Sequence, residues 1–195
     1  MRNTALLKTI FIAILLSGCA TTDKNIANNS DSSENLIQST PFGYVTTTKN
    51  YIPSKLKETT MLPEHQSEEN WTERLLTQVY FDKKNISPDE YNIKLKESWK
   101  TNCPNISTEY HTSVKENGYP VSVLMLKCPD NNPKTNPAIL IIKTIQGRNA
   151  LYSIQQSFRN DVSQAKISKY SRNFRFTFLC SKDAEIKCPN FVKNN

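Results

Sequence analysis

The run Ala138-Ile139-Leu140-Ile141-Ile142-Lys143-Thr144-Ile145 is apolar at nearly every position. A strand with one wet face alternates; a run without alternation reads as a central strand covered on both faces. A chain that contains it must build a sheet and then supply cover above and below. The neighbouring segments supply the sheet. Residues 107–115 alternate at Tyr110, Thr112 and Val114, Asn117-Gly118 is a two-residue hairpin signal, and Val121–Cys128 returns. Residues 129–137, rich in Pro and Asn, form a turn by composition, and Gln146-Gly147 turns the chain into Leu151–Phe158. Four consecutive strands with short turns make an antiparallel meander.

The cover is expected from helices. Ser87-Pro88-Asp89-Glu90 combines an N-cap, a proline at the first helical position and a capping-box glutamate. Tyr91, Leu95 and Trp99 then repeat every four residues as one apolar stripe, which stops near Asn102 before Cys103-Pro104. A second helix is expected over about 162–172, capped by Asn160 or Asp161, and a last strand over Phe174, Phe176 and Phe178, ending at Cys180. Earlier in the chain, Phe42–Thr48 reads as a strand, Tyr51-Ile52-Pro53 as an edge, 54–70 as a polar loop and Trp71–Phe81 as a strand. The fold class is α+β: an antiparallel meander sheet with two flanking helices.

The first residues address the chain. A basic start (Arg2, Lys8) precedes the apolar run 9–16, too short to span a bilayer. Leu16-Ser17-Gly18-Cys19 then matches the lipobox cut by signal peptidase II. Residues 1–18 are read as a lipoprotein signal peptide and Cys19 as the lipidation site. Residues 19–41, Asn/Ser/Thr-rich, are read as lipidated cysteine and flexible tether, and 42–195 as one periplasmic domain. Ala20, where inner-membrane lipoproteins usually carry Asp, favours the outer membrane with the domain facing the periplasm. Cys103, Cys128, Cys180 and Cys188 remain, an even count that reads as two disulfides in an oxidising compartment. Three pairings are possible; Cys103–Cys128 and Cys180–Cys188 are favoured, with chain-entropy stabilisation of about 3.5 and about 2.5 kcal/mol. The gaps do not fit a zinc site, whose paired ligands sit about two to four residues apart.

The formal net charge is +7, and ten of the 25 Lys and Arg residues fall within 143–195, against Asp161, Asp183 and Glu185. Lys166, Lys169 and Arg172, with Arg175 just beyond, would form a cationic edge on the second helix, a candidate binding surface for an acidic or anionic partner. Nucleic acid is disfavoured by the compartment and by the lack of an aromatic-interleaved motif. Only His65 and His111 could act as an imidazole base, and no nucleophile-elbow or zincin motif accompanies them. Four glycines do not make a phosphate-binding loop of the usual pattern. Asp89, Glu90 and Glu97 are explained by helix capping and solvation, Trp99 and Tyr91 by the buried stripe, and Trp71 by core packing. No catalytic residue, cofactor or metal ligand is assigned.

Trp71-Thr72 with Thr77-Gln78-Val79-Tyr80-Phe81, Cys103-Pro104, Glu116-Asn117-Gly118-Tyr119-Pro120 and Cys128-Pro129 form a motif set. It continues with Ile145-Gln146-Gly147, Leu151-Tyr152 with Gln155, and Cys188-Pro189. In these pieces, over about 70–190, the chain resembles a family of Gram-negative envelope lipoproteins that brings no assigned activity. Its element order is also similar to the PsbP-like α/β/α sandwich, whose members are mostly accessory and binding modules. The expected function is a lipid-anchored periplasmic accessory protein that contacts another envelope protein or assembly. The alternatives are an envelope-polymer hydrolase using His65 or His111, and a small-ligand or cell-wall binder using an open pocket lined by Trp71 or Tyr91.

Overall fold

A computed structural model describes residues 34–129, 137–160, 162–182 and 184–188. The signal peptide, Cys19, the tether up to residue 33, most of the 129–137 turn and Asp161 lie outside the described residues. The strands are β1 (Asn35–Ile37), β2 (Tyr44–Ile52), β3 (Leu56–Pro63), β4 (Glu73–Tyr80), β5 (Ser107–Glu116), β6 (Tyr119–Lys127), β7 (Ile139–Gln146), β8 (Leu151–Phe158) and β9 (Phe178–Cys180). The helices are α1 (Pro88–Lys100) and α2 (Gln164–Arg175).

Seven strands form one antiparallel sheet in the order β2-β3-β4-β8-β7-β6-β5, and β1 pairs with β9 apart from it. The chain builds β2 to β4 as a hairpin series. It then crosses by way of α1 to the far edge and meanders back from β5 until β8 closes against β4. The expected meander is therefore half of the sheet. Asn117 and Gly118 both have positive φ, 50° and 86°, as a two-residue hairpin turn of the primed kind requires.

β7 explains its own sequence. Leu140 and Ile142 face α1 in a cluster with Leu124, Leu126, Leu95, Trp99 and Ile106. Ile139, Ile141 and Ile145 face the other way, in a larger cluster with Ile154, Phe158 and the α2 stripe Ile167, Tyr170 and Phe174. One strand thus serves two cores, one under each helix. The two buried polar residues of β7 are matched. Thr144 Oγ1 donates to Asn92 Oδ1 on α1 at 2.7 Å, and the Lys143 ammonium donates to the Phe174 carbonyl of α2 at 2.8 Å. Ser87 caps α1, accepting from the Glu90 amide at 3.1 Å.

Both favoured disulfides are present, Cys103–Cys128 and Cys180–Cys188. The first ties the end of α1 to the end of β6; the second closes the loop after β9. Three expectations need correction. Residues 56–63 are a strand, not loop, because Leu56 to Met61 all pair with β4, with Thr60 and Leu62 buried while Lys57 stays exposed. The second helix is capped by Ser163, not Asn160 or Asp161, and runs on to Arg175. Phe174 therefore belongs to the helix: its spacing from Ile167 and Tyr170 completes a helical stripe, and this outweighs the alternation with Phe176 and Phe178. Residues 34–41, expected as the end of the tether, instead contain β1. Leu36 packs on the large core, and the Glu34 carboxylate accepts from the Arg148 amide at 2.6 and 2.7 Å.

Candidate binding groove

The two helices cover their faces unequally. α1 lies over β6 and β7. α2 lies over β8 and β4, where Tyr170 packs edge-on against Phe158 and its hydroxyl donates to Glu73 Oε2 at 3.0 Å. On the α2 face, the outer half of the sheet is left open. The result is a groove of about 1010 Å³ between α2 and strands β5 to β7. Val114, Val123, Met125 and Ile141 supply an apolar floor, and α2 supplies one wall. At the open side lies β5, a sheet edge with no strand partner beyond it among the described residues. Its groove-facing Tyr110 and Val114 are 52% and 46% exposed.

Of the four cations expected on α2, the structure brings two to this groove. Arg172 and Arg175 line it, both exposed, and neither has an ion-pair or hydrogen-bond partner among the described residues. Lys166 turns away to pair with Glu73 at 2.8 Å, and Lys169 lies 5.9 Å from the Tyr170 ring centroid. At the arginine end sits a pair that sequence reasoning missed. Lys143, 1% exposed, bonds through its ammonium to Glu116 Oε2 and to the Phe174 carbonyl. Burial lowers the Lys143 pKa, and Glu116 works against that shift. The signal was present in the sequence: a lysine inside an otherwise apolar strand needs a partner.

The histidines do not form a relay. His65 is exposed in the turn after β3, with φ 69°. His111 does meet an acid and a hydroxyl, Asp89 Oδ1 at 3.0 Å and Ser122 Oγ at 3.3 Å, but through the same Nε2. A relay places acid and nucleophile on opposite ring nitrogens. Ser122 is also fully buried and already accepts from Asn92 Nδ2 at 2.9 Å. Burial alone would raise the Asp89 pKa; hydrogen bonds from Ser113, Ser122 and His111 outweigh it and hold the carboxyl below its ordinary value. This network fastens the start of α1 to β5 and β6. Trp71 and Tyr91 are 5% and 8% exposed, so neither lines an open pocket. The Trp71 ring is instead flanked by the Arg159 and Arg74 guanidinium carbons, 4.3 and 4.6 Å from its centroid. Among the described residues no group of three or more His, Cys, Asp or Glu is placed to hold a metal ion.

No family model matches the chain, and no curated protein matches it. Among solved structures it is similar to cyanobacterial PsbP (CyanoP) from Synechocystis sp. PCC 6803, with a TM-score of 0.52 over 75% of this chain and 92% of that one. The identity is 10%, so the likeness is one of fold: the α+β architecture is PsbP-like.

Proposed function

We propose that this chain is a lipid-anchored envelope protein that works by contact, holding a partner protein in the groove beneath α2. The observation that carries this reading is the joining of an apolar floor to two exposed guanidiniums that have no acidic partners among the described residues. A monomeric surface rarely leaves an apolar concavity uncovered without a use for it. The lipobox at Leu16–Cys19 supports export, acylation of Cys19 and outer-membrane placement facing the periplasm. Acyl chains contribute about 0.8 kcal/mol per buried methylene, so a multiply acylated cysteine releases slowly.

Labelled palmitate and membrane fractionation on wild type and Cys19→Ser test the anchor. Label on wild type alone, in the outer-membrane fraction, is expected; equal label on both chains overturns it. Recovery from cross-linked envelopes tests the contact. A partner recovered by wild type and lost with Arg172→Glu/Arg175→Glu supports the groove. A partner recovered equally by both variants moves the contact elsewhere, and recovery of no protein by either removes the reading.

A further inference from the structure

We infer that the groove's occupant is an extended acidic segment of the partner protein, added as an eighth strand along β5. This rests on the groove being the binding surface. Three observations converge on it.

The first is the edge. Among the described residues β5 bonds to β6 on one side and to no strand on the other, so its outward backbone N–H and C=O groups can accept another strand. The second is the exposure of Tyr110 and Val114. These side chains point toward the groove at the sheet margin and stay about half exposed, with no further strand beside them among the described residues. An added strand would cover both while its alternate side chains entered the groove over Val123 and Met125. A lipid-like occupant would meet the apolar floor and leave the backbone edge unsatisfied.

The third is charge. Arg172 and Arg175 stand on the α2 wall opposite β5 without acidic partners among the described residues, whereas the third groove cation, Lys143, is neutralised by Glu116. Asp or Glu on the incoming strand would meet two preformed donors. A second copy of this chain does not fit as well. Two-fold pairing through β5 brings two copies of Arg172 and Arg175 to one interface.

The test is a selection of random twelve-residue peptides displayed on phage, against the immobilised full chain, followed by measurement on the selected peptide. The result expected is enrichment of sequences alternating apolar residues with Asp or Glu. Binding should weaken at least tenfold in Arg172→Glu/Arg175→Glu and tenfold or more when the peptide's edge-facing amides are N-methylated. Hydrogen exchange should slow at residues 107–116 and not along β2. Four results overturn the inference: no enrichment; enrichment indifferent to the arginines and to N-methylation; protection centred on the other sheet edge; or a free domain already dimeric through β5. Dodecanoate competing for the groove with no selectable peptide would assign it to an amphiphile. If the selection fails while envelope cross-linking still recovers a partner that depends on Arg172 and Arg175, only the strand-addition inference falls.

Discussion

Lys143 shows how one residue can carry both a cost and a constraint. Its ammonium is buried while its partner Glu116 keeps 35% of its side chain exposed. Breaking a fully buried pair costs about 3–5 kcal/mol; with one partner at the rim, Glu116→Gln is expected to cost about 2 kcal/mol. Lys143→Met removes the buried charge itself and should lie within about 1 kcal/mol of wild type. Urea unfolding of both variants checks the order, and a costlier Lys143→Met contradicts it. The pH dependence has a definite sign. The folded-state pKa of Lys143 lies below 10.5, so the unfolded chain holds this proton to higher pH. The group's contribution to stability therefore rises as pH climbs from the folded value toward 10.5, and Lys143→Met should lack that rise.

The tyrosines behave oppositely. Burial raises the pKa of Tyr44, Tyr80, Tyr152 and Tyr170, the last to about 12. Their stabilising contribution is full below pH 10 and is lost as pH rises through the raised values. Phenolate absorbance should show these four of the eight tyrosines protonated at pH ~11 while the chain stays folded, then ionising with unfolding. Titration of these four near pH 10 in the folded chain would contradict this. Arg172 and Arg175 were readable in the sequence as a cationic helix edge. A buried lysine in need of a partner was readable too, but not that Glu116 is the partner, because that depends on the register of β5 and β7 across the sheet. The separation of Lys166 from the groove depends on how α2 is rotated over the sheet.

At the scale of elements, readability followed local signals. α1 carries its cap, proline and stripe within fourteen residues, Ser87–Lys100, and formed as expected. Ser87→Ala should lower stability by about 1 kcal/mol. β3 was hidden because its support comes from pairing between two strands, not from its own polar sequence. β1 was hidden for the same reason: three residues pair with β9 and depend on anchors distant in sequence. One of those anchors is testable. A Cβ at Gly147 would lie 2.5 Å from Glu34 Oε1 and 2.8 Å from the Tyr152 ring. Gly147→Ala should expel the Glu34 carboxylate and loosen β1, costing about 1–2 kcal/mol. Faster hydrogen exchange at residues 35–37, with α1 unchanged, is the expected pattern; unchanged exchange at β1 contradicts it.

At the scale of the molecule, the apolar run in β7 dictated a two-sided core, and the structure answers it with one helix per face. The helices are offset, and that offset leaves the groove open. The disulfides hold the ends of this arrangement. Cys103→Ser/Cys128→Ser is expected to lose about 3.5 kcal/mol in chemical unfolding. Similarity to PsbP at 10% identity fits this logic, because a sheet, two covers and a crossover can be encoded by many sequences. What the fold leaves unspecified is the occupant of its open half. The most direct measurement is a photo-cross-linking amino acid placed in the full chain, in its native cells, at Thr112 on the β5 edge and separately at Asn50 on the β2 edge. The account predicts one discrete protein adduct from Thr112 that disappears with Arg172→Glu/Arg175→Glu, and none from Asn50. The same adduct from both edges, or no protein adduct from Thr112, would contradict it.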